Sequence, residues 1–433
     1  MSMRKKLTSL MLVATMAFGM VGCGSTAKEE EQQTTQNADG QLSGKVTVWS
    51  WTEAKMSLED AAKLFQKEHP EVEFEFVEYS SGDIATKLAT SLQTGQGLPD
   101  IASVEGDGLA GLVSNFGYAL ADTTETLADV KDDFLPYKLE EVTFEGAQKA
   151  IPYDACPSMM FYRTDLFEKA GIVAEDIKTW DDYLEAGKIL KEKTGVDMLT
   201  MDFAGDDGLY RQMLMQQGTF YLDNSGEIAL NSEESKTATN MIKKINDAGI
   251  LNNHKSWDDM ITAYKNDTVA TAVFGTWFIG TLKSSDIGNG LWNVMPMPAF
   301  EEGGSTSAVN GGSDLVIPDK AENKEAALEF AKFAAGTMEP TKNLFASYGQ
   351  LPAYMPVLDD EVFNEGDPYF GDQAIWQPII EEGKKATPPN YSAKYQDLKT
   401  LVCNNFSTIL LNGADVDSTL ETLETEGKKI LEN

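Results

Sequence analysis

Nucleophilic or metal chemistry in this chain would have to be built from two histidines, His69 and His254, and three cysteines, Cys23, Cys156 and Cys403. They stand far apart and no HExxH or CxxC spacing joins them, so neither a metal site nor a cofactor is expected. A Ser-His-Asp or Cys-His site would rest on a single lone histidine. Cys156 and Cys403 could pair in an oxidising compartment or remain two small buried thiols. A different kind of chemistry gathers at the ends of strand-like runs. Trp49-Ser50-Trp51-Thr52-Glu53 closes one such run and Glu105-Gly106-Asp107 another. In open α/β sheets ligands sit beyond the carboxyl ends of strands, so both segments point to a binding cleft. Trp49 and Trp51 share a face at period 2; Trp51 is nearer the strand end and is the better ligand platform, Trp49 the better core residue.

The elements that must position these residues follow from periodicity. Lys45–Trp51, Val72–Tyr79 and Pro99–Val104 read as strands; Lys55–Glu68 and Asp83–Thr94 carry apolar residues at helical spacing. This β-α-β-α-β opening predicts an α/β layer with a mostly parallel sheet. The middle is richer in helix, over Leu166–Ala170, Trp180–Thr194, Gly208–Gln217 and Ser232–Ala248, followed by strands at Val269–Phe274 and Leu315–Pro318. Asn323–Ala335, Ala393–Leu411 and Val416–Leu431 read as further helices. Trp180 and Trp292 are assigned to the core.

The first residues carry a separate message. Arg4, Lys5 and Lys6 precede an apolar run from Leu7 to Val21, the pattern of a signal peptide over residues 1–22. Met20-Val21-Gly22-Cys23 resembles the bacterial lipobox, which implies lipidation of Cys23. Residues 23–41 hold almost no large apolar side chain and are expected to form a solvated tether. Loss of the leader takes the formal charge from −34 to −37. That balance argues against nucleic acid or anionic lipid as partner. Lysine outnumbers arginine 32 to 3, a composition that fits a Gram-positive source. The expected location is the outer face of the cytoplasmic membrane.

Motifs along the mature chain then fall into a familiar order: Val46–Trp51, Leu98-Pro-Asp-Ile101, Ile151-Pro-Tyr-Asp154, Met160–Gly171, Thr179-Trp-Asp-Asp-Tyr183, Ala270–Gly280, Asn310-Gly-Gly-Ser313, Leu351-Pro-Ala353 and Asn412-Gly413. In order and spacing the chain resembles extracellular solute-binding proteins of the maltose-binding type, which feed carbohydrates to ABC importers. Arg163 and Thr271 depart from the usual Asn and Met of that pattern. The resemblance implies a type II periplasmic-binding-protein-like fold, two α/β lobes joined by a multi-strand hinge. The amino-terminal lobe would take residues 42–152 and 312–365, the carboxyl-terminal lobe 153–311 and 366–433. It further implies a carbohydrate ligand, delivery to permease subunits in the same membrane by a monomer, and no catalysis; the number of aromatic residues expected near the cleft favours an oligosaccharide over a single sugar.

A pyranose offers C–H faces to aromatic rings and hydroxyls to carboxylates and amides. On that basis the resemblance assigns ligand contacts to Trp51, Glu53, Asp107, Asp154, Trp277, Asn310, Gly311, Gly312 and Ser313. Trp257, Tyr210, Gln350, Trp376 and Tyr395 are further candidates, with Arg211, Tyr354 and Tyr391 weighed beside them. Asp107 could instead cap a helix. Two other readings stay open: a receptor for another small solute, such as a polyamine or peptide, and an exported glycoside hydrolase, whose cleft would also show aromatics and carboxylates.

Overall fold

The computed structural model describes residues 41–432, and the leader, Cys23 and most of the tether lie outside them. Alternation builds the first strand: in β1 (Gly44–Ser50) Val46 and Val48 are buried while Lys45 is exposed. The helix Thr52–Phe65 follows, its Ala54, Leu58, Ala61, Ala62 and Phe65 buried at helical spacing. It returns the chain to β2 (Val72–Glu78), parallel to β1. The helix Ser81–Thr94 starts where Ser80 Oγ accepts the Asp83 amide at 3.2 Å and stops at Gly95, φ +68°. β3 (Ile101–Glu105) then joins the other side of β1, again parallel. The carboxyl ends of β1, β2 and β3 therefore lie along one edge.

A small hairpin, β4 (Thr143–Phe144) with β5 (Ala147–Gln148), precedes β6 (Ile151–Arg163), a strand buried at all 13 positions. Periodicity did not predict β6, because burial on both faces erases alternation and Pro152 and Pro157 interrupt the run. Beyond it come β7 (Leu199–Met201), β8 (Leu251–Asn253), β9 (Thr271–Gly275), β10 (Trp292–Met295), β11 (Val309–Val316) and β12 (Leu351–Pro352). β7 and β8 form a parallel pair of their own.

β6 ties the architecture together. Its first half, through Pro157, pairs antiparallel with β11 and β12; from Ser158 onward it pairs antiparallel with β10 and β9. β11 in turn joins β6 to β3, giving the order β10-β6-β11-β3-β1-β2. The sheet is thus mixed: parallel where helices connect β1 to β3, antiparallel around β6 and β11. Trp180 and Trp292 are fully buried, as expected. Cys156 and Cys403 are both buried and free, so the two thiols do not pair. Among the described residues no helix is long and apolar enough to cross a membrane.

Candidate ligand-binding site

The crossing strand β11 carries the most unusual backbone. Gly311 and Gly312 have φ of +101° and +105°, a region that side chains with a Cβ rarely enter. Between Val309 and Gly312 the ladder to β6 gains one residue on the β11 side, a bulge that turns the strand. Close approach explains the first glycine: a Cβ on Gly311 would stand 3.1 Å from Trp277 Cδ1. The Trp277 indole lies against this backbone and its Nε1 donates to the Asn310 carbonyl at 2.8 Å.

Trp277 follows β9, and its outer face is left open. It is 37% exposed, and Trp257, the first residue of the helix Trp257–Lys265, is 48% exposed. Their rings lie 5.9 Å apart at 35°. Trp180 and Trp292 show that the fold can bury indoles completely, so two adjoining open ones are informative. They make an aromatic ledge beside the crossing.

Behind the ledge sits a polar network. Arg211, in the helix Gly208–Gln216, donates from Nη2 to Asn310 Oδ1 at 3.0 Å and from Nη1 to Tyr395 Oη at 2.8 Å. Tyr395 and Tyr221 hydroxyls donate to Asp207 Oδ2 at 2.9 and 2.7 Å. Burial alone would raise the Asp207 carboxyl; the charges of Arg211 and Lys399 outweigh it and hold the group below the ordinary range. Asn310 therefore joins the ledge to the network, its carbonyl serving Trp277 and its side chain Arg211. Tyr391 extends the cluster, its ring 4.9 Å from that of Tyr395.

The carboxyl end of β3 supplies acids. Glu105 ends β3 opposite Ser313 of β11. Desolvation and the neighbouring Asp107 push its carboxyl up, against the pull of Ser81 and Arg211. Asp107 stands in the first turn of the helix Gly106–Phe116, whose N-cap is Glu105; Asp107 does not cap it. Its charge reaches Arg211, Tyr391 and Tyr395.

Other expected contacts are placed differently. Asp154 is buried, and its Oδ1 accepts from the Ser313 amide at 2.8 Å and from the Ser313 hydroxyl. Both are spent on each other and pin β11 to β6 rather than pointing into a cleft. Gly312 packs against the Asp154 carbonyl, 3.2 Å from where its Cβ would be. Tyr210 is a core residue: fully buried, 2.7 Å from Ser235 Oγ and 4.6 Å between ring centres from Phe406. Successive helical residues point about 100° apart, so Arg211 facing the network turns Tyr210 into the core. Trp376 is also core, edge-on to Phe345 at 4.7 Å, and Tyr354 packs edge-on to Phe134. Trp49 is buried against Tyr79, whereas Trp51 is half-buried at the N-cap of the helix Thr52–Phe65. Glu53 lies in the first turn of that helix, with its side chain outside the described residues. Gln350 is half-buried next to β12.

Asp207 was not singled out from the sequence, and Arg211 was weighed only beside Tyr210. The signal that could have found both is the Asp207/Arg211 spacing of four at a helix start. His254 also gained a place: it follows β8, its Nδ1 lies 2.8 Å from Thr200 Oγ1, and burial lowers its pKa. Among the described residues no group of His, Cys, Asp or Glu side chains is arranged to hold a metal ion.

Comparison with known proteins places the whole chain. The chain is 29% identical over 394 residues to a lactose-binding protein of Rhizobium radiobacter, covering 89% of this chain and 92% of that one. It is 28% identical to an arabinooligosaccharide-binding protein of Bacillus subtilis over 84% of each chain. Among solved structures, the GacH receptor of Streptomyces glaucescens superposes with a TM-score of 0.75 at 23% identity, covering 91% of this chain and all of that one. The sugar-binding protein MalE of Xanthomonas citri gives 0.77 at 18% identity over 90% and 97%. These likenesses fix the two-lobe fold. Residues 60–368 match the family model described as bacterial extracellular solute-binding protein. The chain belongs to that family of exported binding proteins.

Proposed function

We propose that this protein captures a carbohydrate, an oligosaccharide, between two closing lobes and hands it to an ABC permease in the same membrane. The observation that carries the reading is the open Trp257–Trp277 ledge set against the Arg211–Asn310–Tyr395 network at the crossing of β6 and β11. A flat C–H face has a platform there, and ring hydroxyls have both donors and acceptors beside it. Relatives named for lactose and for arabino-oligosaccharides, and a fold neighbour solved with β-1,6-galactobiose, support this ligand class.

The lobes of this reading comprise residues 42–152 with 312–365 and residues 153–311 with 366–433. β6 and β11 form the hinge, and the bulge at Gly311-Gly312 is where β11 bends. Cys23 carries the lipid, residues 23–41 tether a monomeric receptor to the outer face of a Gram-positive membrane, and the protein performs no chemistry on its ligand. Calorimetric titration with lactose, β-1,6-galactobiose, arabino-oligosaccharides and spermidine tests the reading. Saturable heat with at least one sugar, and recovery of that sugar intact, is expected. Binding of spermidine alone, or shortened sugar products, would replace it with the polyamine or the hydrolase reading.

A further inference from the structure

Where β11 meets the helical turn Pro136–Glu141, the protein buries more acid than base. Lys138 Nζ lies 2.8 Å from Asp314 Oδ1 and 3.2 Å from Glu141 Oε1. The side chains of Lys138 and Asp314 are fully buried, and that of Glu141 is 6% exposed. With every group ionised, two carboxylates would face one ammonium. One negative charge would be left over where water does not reach, a state costly enough that buried groups take up a proton instead.

Hydrogen bonding points the same way. Asp314 Oδ2 is buried and has no donor. The Glu141 carboxyl is within hydrogen-bonding reach of Asp314, and two ionised carboxylates offer each other only acceptors. One proton removes both defects: a hydroxyl on Asp314 donates to Glu141, and the triad becomes neutral. Burial pushes the Asp314 carboxyl well above its ordinary range in spite of Lys138, and the charge of Glu141 pushes it further. Burial would lower Lys138, but Asp314 and Glu141 outweigh it and the lysine keeps its charge.

The other ionisable groups nearby do not supply the missing donor. Burial keeps Tyr137, on the same turn, and Cys156, on β6, neutral. Asp154 is already served by the Ser313 amide and hydroxyl. Glu105, opposite Ser313, and Asp107 beyond it only add negative charge. Arg211 is turned to Asn310 and Tyr395. The triad nonetheless borders the candidate site. Glu141 lines a cavity of about 790 Å³ beside Tyr391. Its carboxyl rests over Gly106, where a Cβ would stand 1.7 Å from Oε1, at the start of the helix that carries Asp107. In the proposed reading, closure on a sugar strips the remaining water from Glu141 and makes an unneutralised charge costlier still.

We infer that Asp314 and Glu141 share one proton against Lys138 at neutral pH, and that sugar capture is linked to this proton. Closure tightens the hold on it, so by reciprocity affinity rises as the medium turns acid. The shared proton stands on the triad alone; its link to capture rests on the carbohydrate reading above.

Asp314→Asn copies the protonated form, because its amide donates where the hydroxyl would. Glu141→Gln leaves one acid for one base and needs no proton. The infrared spectrum of the mature chain at about pH 7.5, where ordinary carboxyls are ionised, should show a protonated-carboxyl band that both variants remove. Above the unfolded aspartate value of about 3.9, the folded chain holds a proton that the unfolded chain has lost. The parent therefore loses stability as pH rises, and Asp314→Asn gains on it by up to about tenfold in the folding constant per pH unit. Calorimetry with the tightest binder among lactose, β-1,6-galactobiose and arabino-oligosaccharides, from about pH 6 to 9 in paired buffers of different ionisation heat, should show proton uptake and several-fold tighter binding at the acid end. Asp314→Asn should lose both effects. A carboxyl band that neither variant changes, or an Asp314→Asn chain less stable than the parent throughout, overturns the shared proton. Heats independent of buffer, with the band present, overturn its link to capture and leave the carbohydrate reading standing. No heat with any of the sugars overturns the carbohydrate reading and the link with it, and the band still decides the proton.

Discussion

At the scale of the residue, Trp277 carries most of the argument. Its indole is clamped from behind by the Asn310 carbonyl and the Gly311 backbone, so one face is held open without loss of order on binding. Trp277→Ala should weaken sugar binding by about 1–3 kcal/mol, the range for one aromatic platform; unchanged affinity in a calorimetric titration would remove Trp277 from the site. His254 makes a prediction about pH. Burial depresses its pKa below the ordinary value near 6.5, while Asp206, Asp202 and Asp259 pull the other way. A depressed imidazole means that the unfolded chain takes up its proton first as pH falls. The stability contributed by neutral His254 is therefore full above about pH 6.5 and drains away as pH drops toward the folded-state value. Urea denaturation from about pH 8 to 5 should show a steeper decline for the parent than for His254→Gln. Parallel curves would contradict it. Trp277 and Asn310 were visible in the sequence because they sit in short local motifs. Arg211 was weighed only as a companion of Tyr210, and its network was not visible, because its partners Asn310 and Tyr395 stand 99 and 184 residues away along the chain.

At the scale of the element, legibility tracks how local the cause is. The helix Trp180–Thr194 was predicted to the residue. Its capping box is contiguous: Thr179 Oγ1 accepts the Asp182 amide at 3.1 Å, and Asp182 Oδ2 accepts the Thr179 amide at 2.9 Å. β6 was missed because what makes it a strand is pairing on both sides with β9, β10, β11 and β12, none of which is near it in sequence. β11 was read only from Leu315, since its Gly311-Gly312 bulge looks like a turn until β6 and Trp277 are placed beside it. Two predictions belong here. Gly311→Ala forces a Cβ into a left-handed backbone and against the indole; a loss of about 1–2 kcal/mol in unfolding free energy is expected. Wild-type stability would show that the strand bends elsewhere. Lys138 is fully buried between Asp314 and Glu141. Burial already drives the Asp314 carboxyl well above its ordinary range, and the lysine charge opposes that shift. Lys138→Met leaves both acids uncompensated and should cost about 3–5 kcal/mol, with Lys138→Met/Asp314→Leu recovering part of it in denaturant unfolding. A double variant no more stable than the single would argue against the ion pair as the cause.

At the scale of the whole molecule, the account is one of movement without chemistry. In the proposed reading, β6 and β11 act as a hinge between two lobes, the ledge and network sit where they cross, and ligand bound to both lobes favours the closed form over the open one. A strongly acidic composition suits an exported protein that stays clear of anionic lipid. Small-angle X-ray scattering of the mature chain, titrated with the oligosaccharide that gives the tightest calorimetric isotherm, tests capture by closure most directly. The account predicts a saturable decrease in the radius of gyration, with its midpoint at the calorimetric dissociation constant and shifted to higher sugar concentration by Trp277→Ala. A scattering curve that stays unchanged while the sugar saturates the protein would contradict it.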